Sequence, residues 1–72
     1  MNIADFLKLE LEYWDYIWLM NEKGEGFYGN FAGAIDSSYQ SFKFQNHSNG
    51  QSQIIEVRKL QILQIKQCAR PV

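Results

Sequence analysis

The chain has 72 residues, of which 46% are hydrophobic and 21% charged, and a formal net charge of −1. This is the composition of one small folded domain rather than of a disordered segment. The single cysteine, Cys68, excludes an intrachain disulfide framework and a cysteine-based zinc knuckle. No apolar run approaches the ~20 residues of a membrane span and no signal peptide is apparent, so we expect a soluble cytoplasmic protein without a membrane partner.

The first 14 residues fit two different patterns. Alternating Leu and charged residues over 7–13 are typical of a strand. The same region also places apolar residues on one helical face, and Leu, Lys and Glu are good helix formers. Asn2, followed three residues later by Asp5, resembles a helix cap. We therefore predict a helix over residues 3–13.

Five strand-like runs follow, separated by turn signals. The predicted strands cover residues 15–21, 26–36, 39–46, 52–58 and 61–67. Gly29 and Gly33 within the second run indicate a sharp bend or a close backbone approach. Short strands about every 10 residues, one of them bent, are typical of a small barrel. The prediction is a single mainly β domain over residues 1–72, a five-stranded, strongly bent antiparallel small barrel with a short N-terminal helix.

Charge is unevenly distributed along the chain. Residues 1–36 contain seven acidic and two basic side chains, a net charge of −5. Residues 37–72 contain five basic side chains and one acidic one, Glu56, a net charge of +4. Such a split can indicate a side that faces a polyanion, and chance polarity of a solvated surface is the alternative.

Little in the sequence suggests catalysis. His47 is the only histidine and lies in a polar loop, where a solvated role is expected. Ser37 and Ser38 follow Asp36, a pattern typical of a turn whose side chains bond local backbone. We find no nucleophile–base pair, no metal-ligand set and no cofactor loop. The sequence therefore predicts a protein that is not an enzyme and has no cofactor or metal.

Aromatic residues are abundant: the chain has five Phe, four Tyr and two Trp. Most must lie in the core, since a thin core needs large side chains. Trp18, Tyr28 and Tyr39 are the candidates for stacking on nucleobases, because their polar ends suit a half-exposed site. A core position is the alternative for each of them.

Two segments carry a family resemblance. Ile35-Asp36-Ser37-Ser38-Tyr39-Gln40 has the spacing of the second half of a motif that runs Gly-x-hydrophobic-x-x-aromatic-Asp-x-x-Met-Asn. Val57-Arg58-Lys59-Leu60-Gln61-Ile62-Leu63-Gln64-Ile65 fits a second motif, hydrophobic-Arg-Gly-x-x-hydrophobic-x-x-hydrophobic, with Lys at the Gly position. In this order, residues 16–65 resemble the Sm-like family (Sm, LSm and Hfq-type small β-barrels).

The resemblance implies a ring that binds single-stranded RNA. In the family, the Asn of the first motif and an aromatic residue two positions before it hold an RNA base, and the Arg of the second motif helps close the same pocket. Gln40 and Arg58 stand at the Asn and Arg positions, and Ser38 stands at the aromatic position. The RNA-binding residues implied here are Asp36, Tyr39, Gln40, Arg58 and Lys59. Family members also pair a strand of one subunit with the edge strand of the next, which implies a homo-oligomer. Residues 51–57 and 61–67 are the suitable edges.

Two functions are compatible with these observations. The first is an oligomeric Sm-like single-stranded RNA-binding protein without catalytic activity. The alternative is a protein-interaction or regulatory module on the same small barrel, for instance of a phage or mobile-element type, with a protein partner. The acidic N-terminal half and the surplus of aromatic residues favour this alternative.

Overall fold

The computed structural model describes residues 1–35 and 37–66. It contains a short helix and five strands, which are α1 (Ile3–Lys8), β1 (Tyr16–Asn21), β2 (Gly26–Ala34), β3 (Ser41–Asn46), β4 (Ser52–Glu56) and β5 (Leu60–Ile65). Each strand begins and ends within two residues of its predicted position. The prediction of a mainly β chain with a short N-terminal helix and five antiparallel strands is confirmed.

The helix is shorter than the predicted span of residues 3–13. It begins as expected with Asn2 as its cap, whose side-chain oxygen accepts a hydrogen bond from the Asp5 amide at 2.7 Å. It ends at Lys8, and Glu10 then adopts a left-handed backbone with a φ of 50°. A left-handed residue cannot continue a right-handed helix, so the chain turns here toward the first strand.

All five strands belong to one antiparallel sheet with the order β4-β3-β2-β1-β5. β4 and β5 are the two end strands and do not pair with each other, so the sheet is open rather than closed into a barrel. They follow one another in sequence through a 3₁₀ turn, Val57–Lys59. Among residues 1–35 and 37–66, no further strand pairs with β4 or β5, so both edges of the sheet are open, and both belong to the C-terminal half of the chain.

β2 is irregular at both glycines that the sequence singled out. A Cβ atom at Gly29 would lie 2.1 Å from the carbonyl oxygen of Gln45 and 2.6 Å from the Phe44 ring, so β2 and β3 approach closely only because this side chain is absent. Between Phe31 and Ala34 the pairing with β3 shifts register. Gly33 lies within this shift at a φ of 99°, a conformation that favours glycine.

One face of the sheet and the helix enclose the core. Its buried apolar side chains are Phe6, Ile17, Leu19, Phe31, Phe42, Phe44, Val57, Leu60 and Leu63. The helix contributes Phe6, whose ring stacks on that of Phe42 with 5.5 Å between the centroids and 11° between the planes. The alternation of buried and outward residues along β1 and β3 follows the two-residue period of a strand.

Candidate functional site

The structure places four of the five predicted RNA-binding residues at one end of β3 and in the turn after β4. Tyr39 and Gln40 precede β3, and Arg58 and Lys59 lie in the 3₁₀ turn. The fifth, Asp36, lies outside the described residues. The two motifs are far apart in sequence, and the pairing of β3 with β4 brings their ends together.

Gln40 and Arg58 line the same cavity. The Val57 amide donates to the Gln40 carbonyl at 2.9 Å, which extends the β3–β4 pairing by one step and fixes the two segments side by side. The cavity has a volume of about 210 Å³, and its other lining residues are Ser41 and Glu56. It therefore combines an amide, a guanidinium, a hydroxyl and a carboxylate, which together can donate to and accept from the edge of a nucleobase.

Tyr39 lies at a different cavity. Its backbone is left-handed, with a φ of 56°, and its side chain is 43% exposed. It lines an apolar hollow of about 210 Å³ beside the helix, together with Phe6, Leu7, Glu10, Leu11 and Phe31. The structure thus separates Tyr39 from Gln40, although the two residues are adjacent in sequence.

Lys59 is not among the residues that line the Gln40–Arg58 cavity, but it pairs with Glu56, which is. Its ammonium lies 3.8 Å from the Glu56 carboxylate, and both side chains are more than half exposed. Such an exposed ion pair contributes little to stability. Lys59 also lines a third and larger cleft of about 370 Å³ between β4 and the β1–β2 turn.

Each end strand has a free row of backbone groups. The Val57–Gln40 and Asn46–Gln51 hydrogen bonds fix which β4 residues bond to β3, so the amides and carbonyls of Ser52, Ile54 and Glu56 point to the free edge. On the other side, the Lys66 amide donates to the Tyr16 carbonyl at 2.7 Å. By the same alternation, the free groups of the β5 edge belong to Leu63 and Ile65, on the regular side of the register shift at Met20 and Asn21.

A row of aromatic rings crosses the outer face of the sheet, opposite the core. It consists of His47, Tyr16, Tyr28 and Trp18, and we call it the aromatic ladder. Its successive ring centroids lie 5.5, 5.8 and 6.5 Å apart. The sequence indicated Tyr28 and Trp18 as candidates for stacking but missed the other two members. The two-residue spacing of Tyr16 and Trp18 is a sequence signal that places both on one face of β1. The strand register, which brings Tyr28 and His47 beside them, could not be read from the sequence.

His47 is held in the ladder by hydrogen bonds. Its amide donates to the Tyr28 carbonyl at 2.9 Å, and its ring Nε2 lies 2.6 Å from the side-chain oxygen of Asn30. The amide nitrogen of Asn30 donates to the Trp14 carbonyl at 3.0 Å, so its oxygen is left to accept from His47 Nε2–H. His47 is exposed, as the sequence suggested, but its ring orientation is fixed by Asn30.

Across residues 1–35 and 37–66, no group of three or more His, Cys, Asp or Glu side chains is placed to hold a metal ion. The one α-helix in this part of the chain is far too short to cross a membrane. No protein-family model matches the sequence, and no curated protein and no solved structure matches it either.

Proposed function

We propose that this chain is a single-stranded RNA-binding protein of Sm-like type that acts as a homo-oligomer. The observation that carries the proposal is the shared cavity of Gln40 and Arg58, the two residues that the family resemblance assigns to a base-binding pocket. They come from separate motifs and are 18 positions apart in sequence, yet line one small cavity beside a free sheet edge.

The chemistry of the cavity suits a base better than a phosphate. Gln40 and Arg58 offer hydrogen-bond donors and an acceptor at the scale of a base edge, and single-stranded RNA presents such edges unpaired. Glu56 lies in the same cavity and would repel a phosphate, while its carboxylate can accept from a base amino group. Lys59, outside the cavity, is the cation that a neighbouring phosphate would contact.

The oligomer would form through the two free edges. Each edge offers residues whose backbone groups are unpaired within the sheet, and the strands are similar in length, with five residues in β4 and six in β5. Ile54 on β4 is 65% exposed, and Ile62 and Ile65 on β5 are partly exposed. Such edges are templates for pairing with another strand. Pairing β4 of one copy with β5 of the next is a head-to-tail contact, which gives a ring if it closes.

Fluorescence anisotropy with labelled 12-nucleotide U-rich and A-rich RNAs tests the RNA-binding function. We expect binding at micromolar protein that weakens as salt rises, because phosphate contacts release counterions. Gln40→Ala and Arg58→Ala should each weaken binding about tenfold, since each removes hydrogen bonds to the base. Lys8→Ala, which removes a positive charge from a residue that does not line the cavity, is the matched control and should change affinity little. Binding that both cavity variants leave intact would contradict the proposal.

A protein-interaction module on the same fold is the second candidate, and the larger cleft favours it. This cleft lies between β4 and the β1–β2 turn, and Leu19, Phe27 and Ile55 contribute apolar surface to it. Affinity capture after nuclease treatment distinguishes the two functions. Recovery of one defined protein that is lost in an Ile54→Lys variant supports this candidate, whereas recovery of RNA alone counts against it.

A further inference from the structure

The strands that carry the aromatic ladder contain no acidic side chain, whereas Glu56 on β4 shares the outer face of the sheet with Lys43 and Ile54. Although the first 36 residues contain seven acidic residues, none lies in β1, β2, β3 or β5. The described acidic residues of this half lie in α1, in the segment before β1 and in the β1–β2 turn. Lys43 on β3 and Lys66 after β5 lie on either side of the aromatic ladder. A polyanion that followed the ladder would meet the positive charges of Lys66 and Lys43, and the Glu56 carboxylate lies beyond Lys43, at the β4 side of the face.

Two rings of this surface are partly exposed, and Tyr28 also stacks on Tyr16. Tyr28, in the middle of the ladder, is 46% exposed. Trp18 lies against Gly26, where an added Cβ would come within 2.7 Å of the indole. The indole therefore packs on bare backbone on one side and is only partly buried. The ladder is also held rigidly, because His47 is hydrogen-bonded to Asn30 and to the Tyr28 carbonyl.

We propose that the aromatic ladder is a stacking site for the bases of single-stranded nucleic acid, separate from the Gln40–Arg58 cavity. Bases would stack on Tyr28 and Trp18, and the flanking Lys66 and Lys43 would contact phosphates. Every base has a π-face, so this site tolerates any sequence, and stacking does not read the ribose 2′-hydroxyl. This proposal rests on the proposed function only for the class of ligand, which is single-stranded nucleic acid. The residues of the ladder are different from those of the Gln40–Arg58 cavity.

Charge is what favours nucleic acid over a protein partner. Exposed Tyr and Trp side chains also occur at protein interfaces. The ladder, however, is flanked by Lys43 and Lys66, and β1, β2 and β3 hold no carboxylate. Single-stranded nucleic acid carries one negative charge and one flat base per nucleotide, so it complements both the lysines and the aromatic rings.

Oligo(dT) of 12 nucleotides is the most selective probe, because it offers bases and phosphates but no 2′-hydroxyl. We expect Tyr28→Leu, which keeps apolar volume and removes the ring, to weaken binding about 5- to 150-fold, the range found for loss of one stacked base. Tyr13→Leu is the matched control: Tyr13 is exposed and pairs with Trp14 outside the sheet. Its replacement should leave affinity unchanged.

Lys66→Gln should weaken binding to the same extent for all base sequences. It should also lower the slope of log affinity against log salt concentration by about one, because one phosphate contact is lost.

Trp18 provides a direct readout in a Trp14→Phe background, where it is the only indole. Stacked oligo(dT) should quench its emission, and a DNA duplex of the same sequence should not, because its bases are not free to stack. Unchanged emission with saturating oligonucleotide, equal binding of duplex, or full affinity in Tyr28→Leu would each overturn the proposal.

The two sites are separated by crossing the variants. Loss of oligo(dT) binding in Tyr28→Leu, with binding retained when Gln40 and Arg58 are both replaced by alanine, supports the ladder and contradicts the cavity as the main site. The converse result overturns the ladder and leaves the proposed function standing. Additive losses in RNA binding support both sites.

Discussion

Gly29 is the residue on which the close contact between β2 and β3 depends. A side chain there would overlap a backbone carbonyl oxygen, at 2.1 Å, and the buried Phe44 ring, at 2.6 Å. Neither neighbour can move aside easily, because the carbonyl belongs to a central strand and the ring to the core. The loss of stability caused by a side chain at this position is therefore a sensitive test of the packing between β2 and β3.

We expect Gly29→Ala to lower the free energy of unfolding by about 3 kcal/mol or more, since overpacking at rigid neighbours is costly. For 72 residues the total is only about 4–11 kcal/mol. Urea denaturation followed by circular dichroism measures the change. Gly26→Ala is the control: its Cβ would meet only the Trp18 side chain, which can shift. Equal stability of the two variants would contradict the described packing.

At the scale of the element, α1 is too short to be stable alone. A helix of six residues gains little from its own hydrogen bonds, so tertiary packing must hold it. Phe6 provides this contact, because it is buried against Phe31 and Phe42. The opposite side of the helix is exposed and includes Leu7.

Phe6→Ala should cost about 3–5 kcal/mol, the usual loss for a buried Phe, and should release the helix. Leu7→Ala, on the exposed side of the same helix, should cost under about 1 kcal/mol. Hydrogen exchange of the amides of residues 6–9 checks whether the helix detaches. Protection that persists in Phe6→Ala would show that another contact holds the helix.

The free edge of β4 is an element that one substitution can block without disturbing the sheet. The Ile54 amide points away from β3, so Ile54→Pro removes an edge donor and leaves the β3–β4 hydrogen bonds in place. We expect light scattering to give the mass of an assembly for the native chain and of a monomer for Ile54→Pro. Ile54→Ala keeps the amide and should stay assembled. A native chain that is monomeric at every concentration would contradict the oligomer.

At the scale of the whole molecule, assembly should couple stability to concentration. Partners that bind only the folded chain stabilise it by mass action. We therefore expect the thermal midpoint of the native chain to rise over a hundredfold increase in concentration. The midpoint of Ile54→Pro should stay constant over the same range. Parallel rises in both proteins would point to association through another surface.

Strand number and order of elements could be predicted because turn signals and alternation are local. The helix end could not, since residues 9–13 are good helix formers and the left-handed Glu10 has no sequence signal. The same holds for Tyr39, whose positive φ directs it away from Gln40. The pairing of Gln40 with Arg58 was accessible only through the family resemblance. The full aromatic ladder needed the strand register, which joins residues 31 positions apart, from Tyr16 to His47.

Under the proposed assembly, each of the two open edges binds one neighbouring copy, so the chain corresponds to what polymer chemistry calls a bifunctional monomer. Under the proposed assembly, a copy with Ile54→Pro keeps one reactive end, the β5 edge, and loses the other. Such a copy is a chain stopper: it can be added to a growing assembly but cannot be extended. A small fraction of it mixed with native chain should shorten assemblies in proportion to its dose, an effect that a simple loss of folding would not produce.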